Sequence, residues 1–291
     1  MTHRRAALIL TGCTVIWGGS FTLNKLALAS VSPLLLMGVR FTIAAAMLAA
    51  VYPRTTRADW RVGGALGALF GVQIALFITG LDRIPSTRAA FLLGMAVPLV
   101  PVVLMVVTRQ PPRGRDLAAV GLAGIGLWWM TGPDSAGGVG MGDLLMLGSA
   151  VCGAIYVVAA GHWAPRHDPM RILAVQVVVM GAVGFALMLA FERPSIELRL
   201  DVVALVAFLA LSGIATFGGQ LLGQRVVPAT EAALIFALEP VVAAAAGYVA
   251  LGEVLRGMQW VGAAAILVAT LAVRKPRRAL PVPAATEPAT G

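Results

Sequence analysis

Charged residues along this chain fall mostly in short stretches between long apolar runs. Ten apolar segments result, at residues 6–27, 33–51, 62–81, 87–107, 116–132, 142–161, 170–190, 201–222, 230–250 and 258–273. Each is close to the length of about 20 residues that lets a helix cross the hydrocarbon core of a bilayer. The pattern therefore predicts an all-α integral membrane protein with ten transmembrane helices.

The composition agrees with this class. The chain has 291 residues, of which 59% are hydrophobic and 12% charged, and its mean hydropathy is +0.89. Soluble domains carry about 25% charged residues, so an ordinary soluble enzyme, a coiled coil and a disordered chain are excluded. The net charge of +9 does not indicate a nucleic-acid partner, because basic residues beside apolar segments follow from membrane topology alone.

The Lys and Arg residues predict the orientation. Alternate connections collect fifteen of them on one side of the membrane and six on the other, with Arg40 inside a segment. Because positive loops stay in the cytoplasm, we expect a multi-pass protein of the cell (inner) membrane with both termini cytoplasmic. The tail at 274–291 is rich in Pro, Ala and Thr and is predicted to be a disordered cytoplasmic segment.

The chain also contains an internal repeat. Residues 80–90 match residues 223–233 in register, with the Gly, Pro and Thr-x-Ala-Ala positions aligned. The repeat predicts two five-helix units, at 6–132 and 142–273. Because five is an odd number of spans, the second unit enters the membrane from the opposite side. Inverted repeats of this kind are typical of secondary transporters, which bind their substrate near the midplane, and two opposed units provide for alternating access.

Three motifs carry a resemblance to a known family. They are Trp17-Gly-Gly-Ser-Phe21, Ser32-Pro33 with Arg40-Phe41, and Glu239-Pro240 followed by Leu251-Gly252-Glu253. As an ordered set they resemble the EamA family of the drug/metabolite transporter superfamily, over nearly the whole chain as two EamA-type halves. The resemblance implies ten helices, a central cavity and the export or exchange of small metabolites by a protein that is not an enzyme.

One departure breaks the symmetry of the halves. Gly252-Glu253 follows the ninth segment, whereas Gln110-Pro111-Pro112 stands at the corresponding place in the first half. Any role of Glu253 is therefore expected in one copy.

Glu239 and Arg40 are the charges deepest inside predicted spans. A charge at the centre of a membrane helix costs about 2.5–3.5 kcal/mol, so it usually faces a cavity or a partner. Pro240 and Pro98 each leave a carbonyl unpaired and predict helix breaks at matching depth. Glu239 is accordingly expected in a cavity, with a purely structural role as the alternative. Arg40 is open to three roles: holding a substrate carboxylate, pairing with Glu239, or reaching toward the membrane surface.

Polar and aromatic residues on the apolar segments complete the predicted substrate cavity. The full set is Trp17, Ser20, Asn24, Arg40, Gln73, Phe77, Met95, Tyr156, Gln176, Gln220, Phe236 and Glu239. Hydrogen bonding between helices remains the alternative for each of them. Together they indicate a moderately polar pocket, which favours zwitterionic, aromatic or amphiphilic solutes over simple ions.

No cofactor or metal is expected. His162 and His167 have no Cys or Glu arrangement suited to zinc, and the chain has no Walker A loop. The sequence thus predicts a secondary transporter whose partners are an amino-acid-like or amphiphilic solute and the bilayer. An intramembrane enzyme acting on a lipid-linked substrate and a non-transporting membrane scaffold are the alternatives. The solute, the coupling ion, the direction of transport and the choice between monomer and homodimer stay open.

Overall fold

A computed structural model describes residues 1–52, 54–109, 114–131, 139–255 and 257–272, and the tail predicted to be disordered at 274–291 lies outside them. The described chain is helical, and a short 3-10 turn, Ala164–Arg166, joins α7 to α8. Its α-helices are α1 His3–Leu28, α2 Pro33–Val51, α3 Arg57–Arg83, α4 Ser86–Gly94, α5 Ala96–Thr108, α6 Gly114–Thr131, α7 Met141–Trp163, α8 Pro169–Phe191, α9 Leu200–Gln224, α10 Ala229–Phe236, α11 Glu239–Leu251 and α12 Met258–Ala272.

Eight spans of the described chain are long and apolar enough to cross a membrane, with α4–α5 and α10–α11 each counted as one broken span. The apolar stretches of α6 and α12, at Leu117–Gly126 and Met258–Ala269, are shorter. These two helices lie where the sequence predicted a fifth and a tenth span. The described residues therefore form an all-helical membrane architecture with eight full-length candidate spans.

Local sequence explains where several helices begin. Thr56 and Asp59 form a reciprocal capping box at the start of α3, and the Asp168 side chain accepts two backbone N–H groups at the start of α8. Pro33 and Pro169 occupy the first turns of α2 and α8, where a missing N–H has no helical partner to lose. Polar caps of this kind satisfy backbone groups that lipid would leave unpaired.

The core lies between the two halves of the chain. Helix α3 packs against α7 and α8, α2 against α8 and α9, and α1 against α9 and α11, while α6 and α12 pair with each other. Each of these contacts joins a helix of the first half to one of the second. The halves are therefore interleaved, and a cavity between them is bounded by both.

A glycine row lets α3 approach α8 closely. A Cβ atom added to Gly63 would lie 2.8 Å from the carbonyl oxygen of Ile172, and one added to Gly67 would lie 2.8 Å from that of Gln176. Small residues let membrane helices pack backbone to backbone. The row therefore fixes the depth of Gln176 relative to α3.

The outer surface of the bundle is apolar. Leu189 and Phe191 are each 81% exposed, Leu200 is 85% exposed and Val249 is 83% exposed. A soluble protein seldom exposes so many large apolar side chains to this degree, whereas lipid accepts them. The chain is accordingly a multi-pass membrane protein.

At one end of the bundle, Glu253 joins the two halves. Gly252 takes a left-handed conformation (φ +66°) that ends α11, as glycine commonly does at a helix C-terminus. The Glu253 carboxylate then accepts hydrogen bonds from Ser86 N at 2.8 Å, Ser86 Oγ at 2.9 Å and Thr87 N at 2.7 Å. Partial burial alone would raise the pKa of Glu253, but the hydrogen bonds from Thr87 and Ser86 outweigh it and hold that pKa below its usual value.

Three more polar contacts lie at the end of the bundle that Glu253 occupies. Arg88 in α4 and Asp143 in α7 form a buried ion pair, with Nε 2.7 Å from Oδ1 and Nη2 2.9 Å from Oδ2. Lys25 Nζ donates to three carbonyl oxygens where α3 ends. Glu192, beyond α8, accepts from two N–H groups at the start of α2. We call this end, where α1, α3, α8 and α11 finish and α2, α4 and α7 begin, the Glu253 end.

Candidate functional site

A cavity of about 110 Å³ lies between the two halves. At about 10–15 Å³ for each water-sized group, it has room for about seven to eleven such groups, the size of a small organic solute. Its lining comes from both halves: Trp17, Ser20, Phe21, Asn24, Arg40, Phe70, Gln73, Ile74, Phe77, Leu93, Gly94, Ala96, Val97, Val100, Gly153, Tyr156, Val157, Phe217, Gln220, Ala233, Phe236 and Glu239.

Two helix breaks meet at this cavity. Helix α4 ends at Gly94 before α5 begins, and α10 ends at Phe236 before α11 begins at Glu239. Pro98 and Pro240 stand in the first turns of the second helix of each pair, where their missing N–H groups break no helical bond. The breaks bring Gly94, Phe236 and Glu239 to the cavity wall.

Aromatic rings form much of the wall. Phe70 stacks on Tyr156 with ring centroids 4.0 Å apart and meets Phe217 edge-on at 4.8 Å. Trp17 lies edge-on to Phe236 at 5.3 Å. Aromatic pairs in these geometries contribute about 0.5–1.5 kcal/mol beyond the area they bury. The wall is therefore a rigid apolar surface that carries a few fixed polar groups.

Tyr156 is held from behind by Gln176. The Gln176 amide nitrogen lies 2.9 Å from the Tyr156 hydroxyl, which in turn lies 3.2 Å from Gln176 Oε1. Gln176 is fully buried and lies outside the lining. Gln176 therefore orients Tyr156, and the close contact with Gly67 described above fixes the position of Gln176 itself.

Arg40 is 6% exposed and reaches the cavity from the middle of α2. Its Nη1 donates to Asn24 Oδ1 at 2.9 Å, while its buried Nε has no hydrogen-bond partner among the described residues. Asn24 Nδ2 donates to Ser20 O at 2.7 Å, so Oδ1 is turned toward the guanidinium. Arg40 therefore does not reach toward the membrane surface, which was one of the roles left open by the sequence.

Glu239 faces the same cavity at the start of α11. Its carboxylate accepts no hydrogen bond and forms no ion pair with any residue the structure describes. The direct Arg40–Glu239 pair considered from the sequence is therefore not formed. The cavity is therefore lined by one basic and one acidic side chain that do not form an ion pair with each other.

Three further polar atoms on the lining are buried without a partner in the described chain. They are the donor Trp17 Nε1 and the acceptors Gln73 Oε1 and Gln220 Oε1. Burying such an atom unpaired costs about 1–3 kcal/mol. They belong to residues that line one cavity, where ordered water or a bound polar solute would satisfy them after a small rotation of the side chains.

Ten of the twelve residues predicted from the sequence line the cavity, and Met95 and Gln176 do not. Met95 is 7% exposed and packs with Phe91 and Ala123 in a separate apolar cluster. The residues that sequence reasoning missed are mostly apolar, such as Phe70 and Phe217. Nothing distinguishes them in sequence from the lipid-facing residues of the same helices.

No group of three or more His, Cys, Asp or Glu side chains is placed to hold a metal ion within the described part of the chain. Apolar helices around a small, largely apolar cavity with a few polar groups define a multi-pass membrane protein with a solute-sized site. The chain belongs to the EamA-like transporter family, whose model matches residues 4–132 and again residues 140–274. The match confirms the resemblance found in the sequence.

Relatives agree with this membership. An uncharacterized transporter of Archaeoglobus fulgidus is 28% identical over 273 residues, which cover 92% of this chain and 85% of that protein. The threonine/homoserine exporter RhtA of Escherichia coli is 26% identical over 219 residues, 72% of this chain and 70% of the exporter. A crystal structure aligns over 94% of this chain and 97% of its own with a TM-score of 0.68 at 21% identity, which shows a shared fold.

Proposed function

We propose that this protein is a secondary transporter that exports or exchanges a small amino-acid-like or amphiphilic solute across the inner membrane. The observation that carries the proposal is the cavity lined by both halves at the two helix breaks. Its volume suits a small solute, and its unpaired polar atoms suit a polar one. RhtA is named a threonine/homoserine exporter, which makes those two amino acids the first solutes to test.

We further propose ten spans arranged as two inverted five-helix repeats, 6–132 and 142–273. The contacts at the Glu253 end support the inversion. Helix α1 ends there while its repeat equivalent α7 begins there, and α2 begins there while its equivalent α8 ends there. Two units that enter the membrane oppositely provide for alternating access around the cavity, with both termini cytoplasmic.

Counterflow in proteoliposomes tests the transport function. Vesicles loaded with unlabelled solute receive labelled threonine, homoserine, phenylalanine, glucose or uridine. We expect at least one labelled amino acid to accumulate transiently above its equilibrium level, as exchange through one carrier requires, and protein-free vesicles not to do so. Absence of counterflow with the whole panel would contradict transport and favour a scaffold.

Cysteine accessibility tests alternating access. In a background with Cys13→Ala and Cys152→Ala, a cysteine replacing Phe77 or Val100 on the cavity wall should react with an impermeant maleimide from both sides of the membrane. The control is Val177→Cys, because Val177 is fully buried and lies outside the lining. Labelling of the cavity cysteines from neither side, or a rate equal to the control, would contradict the mechanism.

A further inference from the structure

Arg40 is a buried cation without a counterion. It is 94% buried, and no described carboxylate lies within ion-pair distance of its guanidinium. Leaving a charge uncompensated in a protein interior is strongly destabilising, so such a residue in a membrane helix is expected to meet a charged partner in the working protein. The guanidinium lies over the Phe41 ring, with its central carbon 4.7 Å from the ring centroid, but a ring is not a counterion. We therefore expect an anionic partner of Arg40 to come from the cavity that it lines.

The guanidinium nitrogens that have no hydrogen-bond partner among the described residues indicate which chemical group Arg40 could bind. Asn24 occupies Nη1, and Nε is the buried donor without a partner. The planar guanidinium presents its donors in a fork that matches the two oxygens of a carboxylate or the oxygens of a phosphate. The choice between them follows from the remaining charges.

Those charges disfavour phosphate. Within the described lining, Arg40 is the single Lys or Arg and Glu239 the single acid. A phosphate would bring up to two negative charges to a cavity that supplies one cation. A solute with one carboxylate and one ammonium would instead give each free charge a partner of opposite sign.

We propose that Arg40 binds the carboxylate of a zwitterionic solute, with the ammonium at Glu239 and with Asn24 as the residue that positions the guanidinium. This inference rests on the proposed transport function and adds the chemistry by which the solute is chosen. The aromatic rings of Trp17 and Phe236, which line the same cavity as Glu239, also suit an ammonium, because the face of an aromatic ring attracts a cation.

Binding to the purified full-length protein tests the anchor. Threonine, alanine and phenylalanine are each titrated beside their amides, which keep the ammonium and lack the carboxylate. We expect the parent to bind at least one amino acid about ten- to hundredfold more tightly than its amide, the range of a hydrogen bond to a charged group. Arg40→Gln should abolish that preference, and Arg40→Lys should keep part of it because the charge stays and the fork is lost.

Stability of the empty protein separates this role from a structural one. Arg40→Gln removes an uncompensated buried charge, so the variant without ligand should melt at the same temperature as the parent or higher. A lower melting temperature would mean that Arg40 stabilises the fold. The control is Thr14→Ala, which removes a buried hydroxyl that bonds Leu10 O on α1, outside the cavity. It should leave the preference for carboxylate unchanged.

Asn24 is tested as a positioning residue by two substitutions. Asn24→Ala frees the guanidinium to turn and should lower the carboxylate preference without abolishing it. Asn24→Asp gives Arg40 an internal counterion, so it should raise the melting temperature and remove the preference by competing with the solute. A structural role for Asn24 would make both variants less stable and leave the preference intact.

The outcomes distinguish this inference from the transport proposal. If no amino acid binds, if the amides bind equally well, or if Arg40→Gln keeps the preference, the anchor is overturned even when glucose or uridine shows counterflow. If no solute shows counterflow, the transport proposal fails, and the titrations still decide whether Arg40 binds a carboxylate.

Discussion

Glu253 joins two parts of the chain that are far apart in sequence, and its removal should loosen one end of the bundle. Its carboxylate accepts three hydrogen bonds from Ser86 and Thr87 at 2.7–2.9 Å. Pro85, which precedes α4, makes no side-chain cap. Glu253, at the end of α11, provides the cap for the start of α4 instead. The first prediction is therefore the effect of Glu253→Gln and Glu253→Ala.

The size of the effect follows from the geometry. Hydrogen bonds to a charged group contribute about 1.5–3 kcal/mol when buried, but Glu253 is only partly buried, and solvent weakens such bonds. Loss of a helix cap costs about 0.5–2 kcal/mol. We therefore expect about 1 kcal/mol for Glu253→Gln, which keeps one acceptor oxygen, and about 2 kcal/mol for Glu253→Ala.

The assay is maleimide labelling of a cysteine at Phe77, added from the side of the membrane that carries the Glu253 end. If opening at that end breaks the Glu253 contacts, about 1–2 kcal/mol raises the open population about five- to thirtyfold. The labelling rate should rise by the same factor. The matched control is Glu231→Gln, because Glu231 contacts the exposed His3 and its removal should leave the rate unchanged.

Unchanged labelling in Glu253→Ala would refute this reasoning. It would mean that the three hydrogen bonds persist when the cavity opens, or that they add nothing to closure. An equal rise in the Glu231→Gln control would show that the effect belongs to surface charge rather than to the cap.

Three further predictions follow from the same structure. Because the pKa of Glu253 is held below its usual value, its stabilisation is present above the usual pKa of about 4.3 and is lost as pH falls through the lower folded value. The gap in melting temperature between parent and Glu253→Gln should therefore be constant from about pH 8 to 5 and narrow below about pH 4. Gly67→Ala should cost about 1–3 kcal/mol because its Cβ would lie 2.8 Å from the Gln176 carbonyl oxygen, whereas Gly64→Ala meets nothing within 4 Å and should be neutral or slightly stabilising in thermal melts. Arg88→Ala leaves the buried carboxylate of Asp143 without its cation and should cost about 3–5 kcal/mol, while adding Asp143→Ala should recover part of that loss of stability.

The helices themselves could be predicted from the sequence because lipid requires long apolar runs. The segment 33–51 coincides with α2, and the segment 170–190 differs from α8 by one residue at each end. The helix ends near Gly94 and Phe236 follow from the prolines four residues later, which cannot pair with those carbonyls. Pro101, in contrast, remains inside α5, so a proline alone does not identify a break.

The long-range contacts could not be predicted. Nothing near Glu253 in sequence indicates that it reaches Ser86, because the contact depends on how α11 packs on α4. Gln176 was expected in the cavity because it is polar, yet its register on α8 places it behind Tyr156. Polar residues in apolar helices identify the interior, and packing decides which of them face the solute.

The single copy of Glu253 has an energetic consequence for a carrier built from two like halves. At the repeat-related position Ala229 replaces Ser86, Thr230 aligns with Thr87, and Gln110-Pro111-Pro112 replaces the glycine and glutamate, so the acceptor carboxylate and the serine hydroxyl are missing there. If the two halves were fully symmetric, the conformations closed at either end of the bundle would be equally stable. Under the proposed mechanism, the hydrogen bonds of Glu253 would make the empty carrier more stable in the conformation that is closed at the Glu253 end. Solute binding would have to supply this free-energy difference before the solute could leave at that end.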